Sequence, residues 1–297
     1  MPTLSEAANS AEQVARPSEQ ALLDAWRQLV EDNAAQVERL TEREPHGGDF
    51  WAEGFASATI SSNAVNPADE YLASIAGPDE TWLDIGAGYG RTTLPLARNV
   101  RRITAVDPSP GLTERIRASI AEHGIANIDV LEADAWPPRV SPGVHDACIA
   151  VNVVNFVANI GPFLDAMDAH ARTRCVIVAT ELGTAWQPVE PVFEELHGER
   201  FIRQPALQEI LALLSARRRR FDVATFSFDP PWGLNGEPLD VAHARVRSHY
   251  LVREGSEKDA RLGNLLAAHF GIGNGLVQMP PPMGRFTAAI TWDGAAT

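Results

Sequence analysis

The sequence predicts an α/β fold: a doubly wound, mostly parallel seven-stranded sheet with an antiparallel last strand. A helical segment precedes it, and a helical insertion comes before the last strand. Three observations predict this. Short apolar runs alternate with helical patterns between residues 81 and 180, as parallel strands joined by crossover helices require. Polar residues recur at the carboxyl ends of those runs, where open α/β sheets bind their ligands. Residues 81–93 read as strand, tight glycine turn and helix, with Gly86, Gly88 and Gly90 in the turn.

Taken in order, an N-terminal tail gives way after Ser18 to a helix. Its apolar stripe is Leu22, Trp26, Leu29, Val37 and Leu40, with Asn33 as an interruption, and His46-Gly47-Gly48 ends it. Trp51 and Phe55 follow, then a helix over residues 68–76. Strands are expected at 82–85, 103–106, 128–131, 147–151, 175–180, 221–228 and 285–292, and helices at 112–123, 161–170 and 204–216. Pro95 is tolerated because it falls in the first turn of the helix after the glycines. Residues 229–283 are too many for a turn between the last two strands. They hold two helical patterns, one with Leu239, Val246 and Tyr250, the other with Leu262, Leu265, Leu266 and Phe270. The chain thus divides into a tail and helical cap, 1–66, and a main domain, 67–297, that includes the insertion.

The glycine turn is where chemistry is expected. Alternate glycines let the chain turn sharply and let a ligand lie against backbone with no Cβ between. The amides of the turn and the positive end of the next helix face that ligand. A dinucleotide site wants G-x-G-x-x-G, with its third glycine where this chain has Arg91. The spacing is instead D-x-G-x-G-x-G, with Asp84 two residues before the first glycine. Taken alone, these residues also fit a tight turn that binds nothing. The pattern resembles the first motif of the class I S-adenosylmethionine (SAM) dependent methyltransferases. An acid at the strand end suits the ammonium group of that cofactor, whereas it would repel a pyrophosphate. The resemblance spans about residues 68–228 plus the last strand.

What the resemblance implies is a SAM site made of Asp84, Gly86, Ala87, Gly88, Asp107, Pro108, Asp134, Ala135 and Asn152. Asp107 ends the second strand, where a carboxylate can accept both ribose hydroxyls; its alternative role is a turn or helix-capping acid in Asp107-Pro108-Ser109-Pro110. Pro108 would offer a flat contact to the adenine. Asp134 and Ala135 look like the family's adenine-reading segment, with the carboxylate accepting from the exocyclic amine. Trp136 stacks on the base or covers the sheet edge. Asn152 and Asn155 follow the fourth strand, where the methyl group should point, and Asn152 contacts cofactor or acceptor or caps the turn. The N-P-P-[YF] sequence of many enzymes that methylate amino groups is absent there. Methyl transfer needs mainly alignment and a dry pocket, with a base only if the acceptor must lose a proton. Catalytic residues stay unassigned: Asn152 is a candidate by position, and Glu181, His46, His197, His243 and His249 are candidate bases that no spacing selects.

Composition narrows the partners. Net charge is −14, from 39 acids against 25 bases, and a surface of that sign repels phosphate backbones. The dense basic run 217–220 reads as a solvated helix end or an anion patch. The eight histidines are scattered with no C-x-x-C or H-E-x-x-H, so no metal is expected. Cys148 and Cys175 lie in apolar runs and read as core thiols of a reducing, cytoplasmic protein. No apolar run is long enough to span a membrane. The expected function is a SAM-dependent methyltransferase with a small-molecule acceptor enclosed by Trp51, Phe55, Trp186 and Trp232. No nucleic-acid or membrane partner is expected, and oligomeric state is left open. The alternatives are a non-catalytic SAM-binding regulatory module, and a methyltransferase acting on a protein or RNA. An NAD-dependent oxidoreductase fails on Arg91.

Overall fold

A computed structural model describes residues 17–41, 67–133, 136–137, 141–182, 190–227, 236–278 and 286–295. Its frame is a seven-stranded sheet. β1 (Thr81–Ile85) lies between β2 (Arg102–Asp107) and β4 (His145–Val151), with β3 (Ile128–Glu132) outside β2 and β5 (Ala171–Thr180) outside β4, all parallel. β9 (Phe286–Asp293) inserts antiparallel between β5 and β6 (Phe221–Ser227), so the order is β3-β2-β1-β4-β5-β9-β6. This is the predicted fold class. The order reverses between β1 and β4, which leaves a crevice at the carboxyl edge there.

The central strands are buried on both faces, so they read as apolar runs rather than alternating ones. On one face Leu83, Ile85, Cys148, Cys175 and Ile177 pack beneath α1 (Glu19–Leu40), α5 (Ile160–His170) and α7 (Leu207–Ala216). On the other, Trp82, Ile103, Ile149 and Val176 meet α2 (Pro67–Ile75), α3 (Thr93–Leu96) and α4 (Pro110–His123). Ser18 caps α1 by accepting from the Ala21 amide, and Ser109 caps α4 by accepting from the Leu112 amide.

The N-terminal helix docks differently from its expected stripe. Its buried residues are Trp26, Asn33 and Gln36. Asn33, read as an interruption, donates to the Ile202 carbonyl at 2.5 Å, and Gln36 exchanges two hydrogen bonds with the backbone of Arg200 and Ile202. A periodicity of apolar residues cannot find a face whose partner is the bare backbone of a distant loop. Trp26 anchors the same helix, fully buried, with its indole donating to the Val157 carbonyl at 2.8 Å.

A separate core lies in the cap that the helical insertion builds, as distinct from the N-terminal segment 1–66. The two insertion helices appear as α8 (Leu239–Val246) and α9 (Glu257–His269), and they close over α6 (Glu190–His197), which no sequence pattern had singled out. Val192, Phe193, Tyr250, Leu262 and Phe270 fill this core. A short hairpin, β7 (Gly271–Gly273) and β8 (Leu276–Gln278), completes it. Chain connections to α6, to α8 and back into β9 all leave from the carboxyl edge of the sheet, so the cap attaches there.

The basic run 217–220 is solvated only in part: Arg218 and Arg220 are exposed, whereas Arg217 and Arg219 are engaged in ion pairs. Arg217, mostly enclosed, pairs with Glu19 at 2.9 Å and Asp165 at 2.8 Å, and Arg219 pairs with Asp168. These arginines tie α7 to α1 and α5. Trp26→Ala removes a fully buried indole from that junction and should cost roughly 3–5 kcal/mol in urea unfolding. A loss under 1 kcal/mol would show that α1 docks without it.

Candidate cofactor site

Side chains alternate along β1, so Asp84 shares the face of Trp82 and points at α3. It is fully enclosed, and the Thr93 hydroxyl donates to its carboxylate at 2.6 Å. Burial pushes the Asp84 pKa up to about 7; the Thr93 bond opposes this and the neighbouring Asp107 charge adds to it. Asp84 therefore sits beneath the turn as a brace from strand to helix.

The turn is tied down at each step. The Gly86 and Ala87 amides donate to the Val106 carbonyl at 2.8 and 3.1 Å, and the Gly90 amide donates to the Ala87 carbonyl at 3.0 Å. The Gly88 amide donates to Asp107 at 2.7 Å, and the other oxygen of that carboxylate accepts from the Ser109 amide at 2.9 Å. Of the two roles weighed for Asp107, these bonds show that of turn acid, on a buried group that ends β2 next to Gly88.

The glycines divide between two duties. A Cβ on Gly86 would lie 2.5 Å from the Val153 side chain, and φ there is +71°. The fold itself demands that glycine. At Gly88, φ is +59° and a Cβ would meet nothing within 4 Å among the described residues. The space over Gly88, beside the Asp107 carboxylate, is the cradle where a ligand can lie against backbone.

Other candidates fall as follows. Pro108 is exposed beside Asp107, whereas Asp134 and Ala135 lie outside the described residues, as do His46, Trp51, Phe55, Trp186 and Trp232. Trp136 packs edge-on to Phe163, with its indole donating to the Phe163 carbonyl at 3.3 Å, so it covers the sheet. Asn152 is exposed at the end of β4 with φ +55°, its amide donating to the Val178 carbonyl at 2.8 Å. A left-handed non-glycine residue at a ligand-binding edge is strain held by its surroundings. Asn155 instead turns inward and donates to Gln204 at 2.6 Å. Glu181 follows β5, its amide donating to the Phe286 carbonyl at 3.2 Å. His197 and His243 belong to the cap: His243 lies 2.7 Å from Asp259, which also accepts from Arg247 and the Gly255 amide. Among the described residues no group of three or more His, Cys, Asp or Glu is placed to hold a metal ion.

One participant carried no sequence signal. Asp69, in the first turn of α2, accepts from Arg91 at 2.9 Å and from the Thr92 hydroxyl at 3.3 Å. Nothing in its spacing from the glycines marks it, because α2 reaches the turn only through the tertiary fold.

A parallel sheet with a glycine turn at its switch point and an acid ending the neighbouring strand defines a Rossmann-like protein with a cofactor crevice. Residues 83–173 match the family model described as a methyltransferase domain. Over that segment the chain is similar to methyltransferase domains, and the cradle at Gly88 with the Asp107 carboxylate fits a SAM cofactor. The chain is 43% identical over 58 residues to the 23S rRNA (uracil(1939)-C(5))-methyltransferase RlmD of Stenotrophomonas maltophilia, covering 20% of this chain and 13% of that protein. It is 32% identical over 89 residues to the ribosomal RNA small subunit methyltransferase A of Thermobifida fusca, covering 29% and 31%. The chain thus spans a third or less of the length of these relatives. The crystal structure of the YcgJ protein of Bacillus subtilis matches with a TM-score of 0.52 at 14% identity, covering 78% of this chain and 99% of that one, a likeness of fold alone.

These relatives overturn the expectation of a small-molecule acceptor and no nucleic-acid partner. That expectation rested on net charge, which is a sum over the chain. Phosphate contacts depend on the local arrangement of basic groups, and a total of −14 does not report it. No helix among the described residues is long and apolar enough to cross a membrane.

Two outcomes follow from the turn. Gly86→Ala places a Cβ against Val153 as well as into a left-handed conformation, so it should lower the thermal midpoint well below that of Gly88→Ala, which adds only strain of about 1–2 kcal/mol. Equal midpoints would show that Val153 yields freely. For Asp84, the folded pKa lies above its ordinary value, so its protonated form contributes stability below about pH 4. That contribution is lost as pH rises through about 7. Asp84→Asn keeps a carbonyl for Thr93 and removes the titration. The stability of the wild type relative to this variant should fall between pH 4 and 8 in urea unfolding, and parallel pH profiles would refute the assignment.

Proposed function

We propose that the protein transfers a methyl group from SAM to an acceptor nucleophile at the carboxyl edge of its sheet. The observation that carries this reading is the open space over Gly88 beside Asp107, at the switch point of a methyltransferase domain. Asp107 and the backbone at Gly88 would hold the cofactor, with Pro108 exposed next to them. When bound, SAM supplies an electrophilic methyl on a sulfonium centre. The chain's own task is then alignment and exclusion of water. Asn152 ends the strand on the acceptor side, and the cap of α6, α8, α9 and the β7–β8 hairpin, attached at the same edge, walls the acceptor pocket. On this reading residues 67–297 form the methyltransferase domain together with its helical insertion. The one observation that favours an acceptor class is the names of the relatives, and it favours RNA. Two unlinked core thiols, Cys148 and Cys175, support a cytoplasmic location.

Calorimetry should detect binding of SAM or S-adenosylhomocysteine, and Asp107→Ala should weaken it by about 1–3 kcal/mol, as loss of a charge-assisted contact does. Labelled SAM mixed with cell extract should then place label in the RNA fraction. Label confined to low-molecular-weight or protein fractions overturns the acceptor, and binding without any transfer leaves a SAM-binding module.

A further inference from the structure

Asp69 grips the far arm of the glycine turn from a helix that belongs to neither of the strands forming it. Its two carboxylate oxygens take Arg91, at 2.9 Å, and Thr92, at 3.3 Å, the two residues directly after Gly90. Thr92 occupies the N-cap position of α3 yet makes no capping bond to that helix, its hydroxyl being directed at Asp69 instead. The other anchors come from elsewhere: β2 holds Gly86, Ala87 and Gly88, β1 holds Thr93 through Asp84, and Arg115 of α4 lies 4.8 Å over the Tyr89 ring. Without Asp69, Arg91 and Thr92 would lack their side-chain link to α2.

The helix behind this grip is itself immobilised. Ala68 and Leu72 are buried against the sheet, and Tyr71 packs on Phe226 of β6 at 5.4 Å and reaches the Thr291 hydroxyl of β9 at 3.3 Å. α2 thus connects the distant antiparallel edge of the sheet to the turn. The Asp69–Arg91 pair is partly open to solvent, and such a pair contributes only about 0–1 kcal/mol to global stability. Its consequence is local: a turn already held in one conformation does not spend binding energy on being ordered.

We propose that Asp69 is a positioning residue for the cofactor, holding Arg91 and Thr92 so that the turn keeps its binding geometry before the ligand arrives. The inference rests on the SAM reading above. Burial raises the Asp69 pKa while Arg91 opposes that shift, in keeping with a carboxylate enclosed around one cation.

S-adenosylhomocysteine is the probe, titrated by calorimetry into the full chain, with the ligand-free thermal midpoint measured alongside. Asp69→Ala should weaken binding by about tenfold, in the range of a lost charge-assisted hydrogen bond, while the ligand-free midpoint moves by no more than about 2–4 °C. Asp69→Glu should recover part of the affinity, which a merely structural vacancy would not. Arg91→Met alone should lose affinity too, and the Asp69→Ala, Arg91→Met double variant should lose no more than Asp69→Ala does, since both remove one contact. Should Asp69→Ala fail to fold, Asp69→Asn, of the same shape and able to accept from Thr92, carries the same prediction at smaller amplitude. Wild-type affinity in Asp69→Ala, or losses that add in the double variant, overturns this inference alone. A wild-type chain that binds neither SAM nor S-adenosylhomocysteine overturns it together with the proposed function.

Discussion

The hydrogen bond from the Gly88 amide to the Asp107 carboxylate is the constraint on which the site depends. It joins the turn after β1 to the end of β2, and it can form only because the two strands are parallel neighbours with Ile85 opposite Val106. Register, turn and carboxylate are therefore one arrangement. The second Asp107 oxygen accepts from Ser109, whose hydroxyl caps α4, so the start of the next helix is set by the same group. A single buried acid orders strand end, glycine turn and helix start together.

Around it the turn is braced by two further carboxylates used in different ways. Asp84 is enclosed completely, with a hydroxyl for its partner, and burial therefore drives it toward the neutral form. Asp69 keeps a guanidinium beside it and stays partly solvated. Acids gathered around one turn have to be either neutralised or paired, since three unpaired carboxylates there would repel one another.

The cap follows another logic. Its apolar core of Val192, Phe193, Tyr250 and Leu262 is distinct from the two cores that flank the sheet, and it is held to α1 by Gln36 and Asn33 on the backbone of residues 200–202. Backbone partners tolerate changes in the side chains of the loop they grip.

The amino-acid sequence by itself determined the sheet and the turn. Apolar runs ending in polar residues, and glycines at alternate positions after Asp84, are local signals, because strand burial and a tight turn constrain residues that are adjacent in the chain. The strand sequence, the crossover helices and the place of Asp107 were legible for that reason. Only the tertiary structure decided which glycine the packing demands: Gly86 faces Val153, a residue 67 positions away, whereas a Cβ on Gly88 would meet none of the described residues. It alone revealed Asp69 on Arg91, Asn33 on a distant carbonyl, Arg217 as a tie between helices and α6 as part of the cap. The physical reason is common to the first three, while α6 joins the cap through apolar packing on the distant insertion helices. A polar side chain's role is set by its partner, and here each partner arrives from far along the chain, with no periodicity or spacing to announce it.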